Sequence, residues 1–103
     1  KVFDSAKKYG ITLKKGILGF FPGPGFETKM ELKFLKNNGV DLIGWSMVPE
    51  AISASHSGIS IAGICVVSDI SDPDRVKKVN IEEVEKGAKI NQHIFAKILI
   101  DAY

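Results

Sequence analysis

The chain has 103 residues, a formal net charge of +2, 45% hydrophobic and 25% charged residues, and one cysteine. That balance describes one soluble globular domain at the short end of the usual range and argues against a disordered tail. The lysines are scattered among acids, which is weak ground for a nucleic-acid partner. No apolar run reaches the roughly 18–20 residues a bilayer span needs, so no membrane partner is expected either. A lone cysteine excludes an internal disulfide framework and a Cys-rich zinc site, and it fits a reducing cytoplasm.

In chain order, residues 2–9 read as the last turns of a helix whose beginning lies before Lys1. Gly10 closes it, and a strand follows at 17–21. Residues 27–38 form an amphipathic helix with Met30, Phe34 and Leu35 on one face and Lys29, Lys33 and Lys36 toward water. Gly39 ends that helix and leads into a strand at 40–43. The next helix, 47–57, carries Pro49 in its first turn, where a missing N–H costs nothing. Gly58 then opens a third strand at 59–67. At each of the three joints, glycine just past a helix end takes the left-handed conformation that closes the last turn.

The final helix starts at Asn80, with Glu83 placed to complete a capping box. Its apolar stripe runs through Val84, Ala88, Ile94, Phe95, Ile98, Leu99 and Ala102 to the C-terminus. The strand candidates are continuous apolar runs, the pattern of strands covered on both faces. Alternating helix and strand predicts an α/β fold with a parallel sheet. Three strands are few for such a sheet, so the expectation is a larger sheet completed by a segment or chain outside these residues.

In open parallel sheets, ligands bind beyond the carboxyl ends of the strands. The first strand ends in Pro22-Gly23-Pro24-Gly25-Phe26-Glu27-Thr28, the second in Gly44-Trp45-Ser46 and the third in Ser68-Asp69. A carboxylate beside an aromatic, a hydroxyl beside an indole and a hydroxyl beside a carboxylate suit a pocket for a flat, polar small molecule. Each group also has a plainer role. Glu27 and Thr28 can start a helix, Ser46 and Asp69 can be caps, and Trp45 can be core. The glycine–proline run lacks the Gly-Lys-Ser/Thr ending of a phosphate-binding P-loop. His56 reads as a helix C-terminal charge, His93 as a surface residue and Cys65 as a buried small hydrophobe, and no motif indicates a metal.

These residues resemble a known family. Gly23-Pro24-Gly25-Phe26-Glu27-Thr28 is similar to the Gly-Pro-x-Phe-Glu-Thr motif of the trimeric-type purine nucleoside phosphorylases. Gly44-Trp45-Ser46-Met47-Val48-Pro49-Glu50 resembles their Gly-Met-Ser-Thr-Val-Pro-Glu. Ala54-Ser55-His56-Ser57-Gly58 resembles Ala-Arg-His-x-Gly, with serine for arginine. The resemblance implies that residues 1–103 are the C-terminal segment of a single nucleoside phosphorylase-like domain of three-layer, mostly parallel α/β fold, incomplete in this chain. The implied reaction is phosphorolysis of a purine nucleoside to free base and ribose 1-phosphate. It needs no cofactor, and inorganic phosphate is the co-substrate.

The implied partners are the nucleoside, phosphate, a missing N-terminal segment that carries most phosphate ligands, and two further copies in a homotrimer. The isolated segment is therefore expected to be poorly active. By resemblance, Phe26 lies against the base and Glu27 accepts from N1–H and any 2-amino group. Trp45 stands where the family has a methionine under the ribose, and Ser46 matches the serine that donates to phosphate. Ser68 and Asp69 match a Thr-Asn pair facing N7 and the C6 substituent, so Asp69 and Glu27 are the implied catalytic pair.

Asparagine can both donate and accept, whereas an ionised Asp69 only accepts, which favours 6-aminopurines; a protonated Asp69 could instead serve as the acid at N7. Ile81 replaces a histidine at the 5′ end of the sugar and would tolerate a thioether, as in the related methylthioadenosine phosphorylases. Those enzymes share the aspartate but lack the glutamate. The alternative implied by these departures is a nucleoside-binding or structural subunit without catalysis.

Overall fold

The computed structural model describes residues 1–75 and 77–103. Its sheet is a parallel pair, β1 (Leu18–Phe20) and β2 (Leu42–Gly44), with Leu18 opposite Leu42 and Phe20 opposite Gly44. The pairing is extended by Asp41 and Leu42, whose N–H groups donate to the Ile17 carbonyl at 3.0 and 3.1 Å. The Asp41 carboxylate in turn accepts from the Ile17 N–H at 2.8 Å. Among the described residues the helices are α1 (Val2–Lys8), α2 (Lys29–Asn37), α3 (Val48–His56), α4 (Ile81–Ile90) and α5 (Gln92–Ala102). The parallel α/β arrangement expected from the alternation is therefore present.

The chain divides into two compact units. One comprises Gly16–Cys65 and Ser71–Val79 and holds β1, α2, β2 and α3. Its core is built from Leu32 and Leu35 of α2, both buried. Gly19 in β1 allows Val40 and Leu35 to close over the strand, since a Cβ there would stand 2.9 Å from a Val40 methyl. The other unit comprises Lys1–Lys15, Val66–Ile70 and Asn80–Tyr103. There α1 packs on α5 through small residues. Ala6 and Ser5 are buried beside Ile98, and the Ser5 hydroxyl donates to the Ile98 carbonyl at 3.0 Å, which satisfies a hydroxyl that would otherwise be costly to bury. The Tyr9 hydroxyl donates to Asp101 at 3.0 Å, and that bond raises the phenol above its ordinary pKa.

The three glycine joints share one local structure. Gly10, Gly39 and Gly58 have φ of 68°, 78° and 71°. At each, the next residue donates back across the helix end: Ile11 to Ala6, Val40 to Leu35 and Ile59 to Ala54, at 2.9–3.1 Å. This paired closure satisfies the last carbonyls and turns an apolar residue back onto the helix.

Several expectations are corrected. Residues 59–67 form no strand, because no ladder partner is present among the described residues, and Ile59, Ile61 and Val67 are exposed. Cys65 is exposed rather than buried, with its thiol 3.7 Å from the Met47 sulfur. Of the expected α2 face, Leu35 is buried but Met30 and Phe34 are exposed, and Leu32 takes the inner position. The last helix breaks at Asn91, whose ψ of 2° leaves the helical ladder between α4 and α5. Asparagine is a weak helix former, which fits a break at this position, although its side chain makes no capping bond there.

At Asn80 the side chain caps by accepting from the Glu82 N–H at 3.1 Å, with no reciprocal bond from Glu83. The capping box lies instead at α2. Glu31 N–H donates to the Thr28 hydroxyl at 3.3 Å, and Glu31 Oε2 accepts from the Thr28 N–H and hydroxyl, both at 2.7 Å. The helix consequently begins at Lys29 and leaves Glu27 outside it.

The Thr28 N–H, and then its hydroxyl, hold the Glu31 carboxyl below its ordinary value of 4.5. Because the folded pKa is the lower one, this contribution to stability is complete above the ordinary value and disappears as pH falls through the folded value. Thr28→Ala should cost about 1 kcal/mol at neutral pH. In denaturant titrations at pH 7 and pH 3, the deficit should shrink at the acid end.

Candidate functional site

Because β1 and β2 are parallel and in register, their following loops leave the same edge. The Phe21 N–H donates to the Gly44 carbonyl at 3.1 Å, so the two chains remain tied at the point of exit. Beyond it, residues 22–28 from β1 and 45–47 from β2 come together. The Phe26 and Trp45 rings lie 5.4 Å apart between centroids at an interplanar angle of 56°, within the usual range for tilted aromatic pairs. Trp45 Nε1–H points to Glu27 Oε1 at 3.4 Å.

The indole is seated on Gly23. A Cβ at that glycine would lie 2.9 Å from Trp45 Cδ2 and 3.1 Å from Cε3, and its φ of +60° is a conformation side chains disfavour. Phe26 and Trp45 are 48% and 43% exposed, and Glu27 is half-buried. Two aromatic rings thus border a carboxylate, leaving apolar faces and acceptor oxygens open to a ligand.

Ser46 is exposed, immediately after Trp45. It precedes Met47, whose φ of 75° and ψ of −37° form a strained turn for a residue with a side chain. Met47 holds the N-cap position of α3 with no side-chain cap bond. Its side chain packs against the 63–65 segment: the Cys65 thiol is 3.7 Å from its sulfur, and a Cβ on Gly63 would meet its methyl at 2.6 Å. These contacts secure the turn that presents Ser46 at the start of α3.

Ser68, Asp69 and Ile81 belong to the other unit. Ser68 is half-buried, with its carbonyl against Gly87 of α4, where a Cβ would approach to 2.5 Å. Asp69 is exposed, and Ile81 is the first residue of α4 and 66% exposed. The structure therefore brings Phe26, Glu27 and Trp45 together and sets Ser46 beside them. His56 lies in the last turn of α3, as expected, and His93 is exposed on α5.

Two contributors are not apparent from residue types alone. Gly23 is the seat of the indole, which its place in a glycine–proline run signals only as a turn. The strain at Met47 has no sequence signal. Gly23→Ala should destabilise the fold by roughly 1–2 kcal/mol through its positive φ alone, and the added methyl should push the indole off its seat. The emission spectrum of Trp45, the single tryptophan, reads that displacement directly.

Comparison with known proteins places the whole chain in one group. A family model described as the phosphorylase superfamily matches residues 1–103. Purine nucleoside phosphorylase 1 of Bacillus subtilis is 41% identical over 64 residues, covering 62% of this chain and 24% of the relative. The mouse purine nucleoside phosphorylase is 33% identical over 109 aligned positions, covering 99% of this chain and 38% of the relative. The Schistosoma mansoni purine nucleoside phosphorylase solved with inosine superposes with a TM-score of 0.77 at 33% identity, over 95% of this chain and 38% of that one. The chain thus spans about a quarter to two fifths of the length of these relatives. With the family model matched from the first residue to the last, the chain belongs to the phosphorylase superfamily.

Proposed function

We propose that this chain forms the base-binding part of a purine nucleoside phosphorylase, which converts a purine nucleoside and phosphate to free base and ribose 1-phosphate. The observation that carries the reading is the Phe26–Glu27–Trp45 cluster at the shared exit of two parallel strands. An aromatic face and an acceptor carboxylate are what a flat heterocycle with N–H donors requires. The motif similarity described above supports the same residues in that role. Solved relatives from Schistosoma hold hypoxanthine, guanosine, adenosine and inosine, which are all purine bases or nucleosides.

In this reading Phe26 stacks on the base, while Glu27 accepts from N1–H and any 2-amino group. Trp45 walls the ribose and Ser46 donates to phosphate. Ser68 and Asp69 serve N7 and the C6 substituent, with Ile81 at the 5′ end of the sugar; for these three the support is the family resemblance of the sequence and their order in it. As the glycosidic bond breaks, the purine gains negative charge and the ribose becomes cation-like. Glu27 fixes the base through donors that persist throughout, and phosphate on the opposite face of the sugar stabilises and captures the cationic carbon.

Asp69, when ionised, accepts from a 6-amino group and opposes charge at N7, which shifts preference toward 6-aminopurines, whereas Glu27 favours bases that carry N1–H or a 2-amino group. The remaining phosphate ligands come from a segment outside this chain, so the 103 residues alone turn over poorly. The complete protein is a cytoplasmic homotrimer with no cofactor beyond phosphate as co-substrate.

The test is phosphate-dependent release of base from inosine, guanosine, adenosine and methylthioadenosine by the complete protein. Glu27→Ala should lower kcat/KM for guanosine by about 10- to 100-fold. Asp69→Asn should move preference toward inosine over adenosine. Purine binding with no turnover of any of the four would assign the protein to a non-catalytic nucleoside-binding role, for which the replacements at Trp45, Asp69 and Ile81 speak.

A further inference from the structure

The geometry points to Trp45 as a positioning residue for Glu27, setting the specificity of the base site through its indole N–H rather than only walling the sugar. The inference rests on the base-binding reading of Glu27 given above. Three contacts fix the indole. Its six-membered ring and the ring-fusion carbon Cδ2 lie over Gly23, where even a methyl would come within 2.9 Å. Phe26 meets it at 5.4 Å between centroids and 56°. Its Nε1–H is directed to Glu27 Oε1 at 3.4 Å. Methionine, which the resembling family carries here, has a thioether and no N–H, so it can make only the packing contacts.

The chemistry of this contact is one-directional. An indole N–H is a donor only, and an ionised carboxylate is an acceptor only. Trp45 therefore engages one oxygen of Glu27, restrains rotation of the carboxylate, and leaves Oε2 with its lone pairs for a ligand. Rotation of the carboxylate toward solvent gives up this 3.4 Å contact. Glu27 lies outside α2, whose N-terminus is capped by Thr28 and Glu31, so the capping network does not hold it. The ligand this selects is a planar heterocycle presenting N–H donors along one edge, as guanine does with N1–H and its 2-amino group.

Two measurements test this, one of which needs no ligand. As the single tryptophan, Trp45 gives one indole N–H resonance. In the ligand-free protein, Glu27→Ala should move that resonance and speed its exchange with water. An unchanged resonance would overturn the inference regardless of what the site binds.

The second is a double-mutant cycle on guanine binding. Trp45→Phe keeps an aromatic ring against Gly23 and Phe26 but removes the donor, and it should weaken guanine by about 3- to 10-fold. In the Glu27→Ala background the same substitution should cost almost nothing, because the residue it positions is gone. Full additivity, or no loss in Trp45→Phe alone, would overturn the positioning role. Failure of the wild-type protein to bind any purine would instead overturn the base-binding reading, leaving the indole resonance to decide whether Trp45 orients Glu27.

Discussion

The parallel pairing of Leu18–Phe20 with Leu42–Gly44 is the constraint from which the candidate site follows. Parallel strands in register release their loops on one side, so a motif after the first strand and a motif after the second meet although about 20 residues separate Phe26 from Trp45 in sequence. Antiparallel pairing of the same two segments would send the loops to opposite edges. The Phe21 to Gly44 hydrogen bond extends the pairing to the point where the loops begin to diverge, which limits how far the two rims can drift.

Within that frame, small residues do much of the positioning. Gly19 allows Val40 and Leu35 to close over the strand, and Gly23 allows the Trp45 indole to lie against backbone. On the other unit Ser5 and Ala6 let α1 approach α5 closely. Larger groups are reserved for the rim, where Phe26 and Trp45 remain about half exposed. The division is physically sensible, since close backbone approach fixes geometry while exposed aromatic faces and a carboxylate recognise a ligand. The strained turn at Met47 belongs to the same design, held by its packing on Gly63 and Cys65 and placing Ser46 at the mouth of α3.

Much of this was legible in the residues. The helix-closing glycines at 10, 39 and 58 all adopt the left-handed conformation; the strand expected at 17–21 is present as Leu18–Phe20, and the one expected at 40–43 is shifted to Leu42–Gly44. The family motifs identified the loops that carry Phe26, Glu27 and Trp45. What was not legible has physical causes. Residues 59–67 carry a strand's composition but have no ladder partner among the described residues, and a strand exists only in pairs. The Thr28-x-x-Glu31 pair forms the reciprocal capping box, whereas at Asn80 the asparagine accepts from the nearer Glu82 amide and Glu83 takes no part. The Trp45 to Glu27 contact depends on the turn that Gly23 makes, which no local pattern specifies.

The central claim is that Glu27, braced by Trp45 and bordered by Phe26, holds the edge of a purine base. The most direct measurement is a crystal structure of the protein with guanine bound. In that complex the N1–H and 2-amino group should lie at hydrogen-bond distance from the Glu27 carboxylate, about 2.7–3.2 Å, with the base plane against Phe26. A base bound with Glu27 turned away from it, or seated elsewhere on the protein, would rule out Glu27 as the base-edge acceptor.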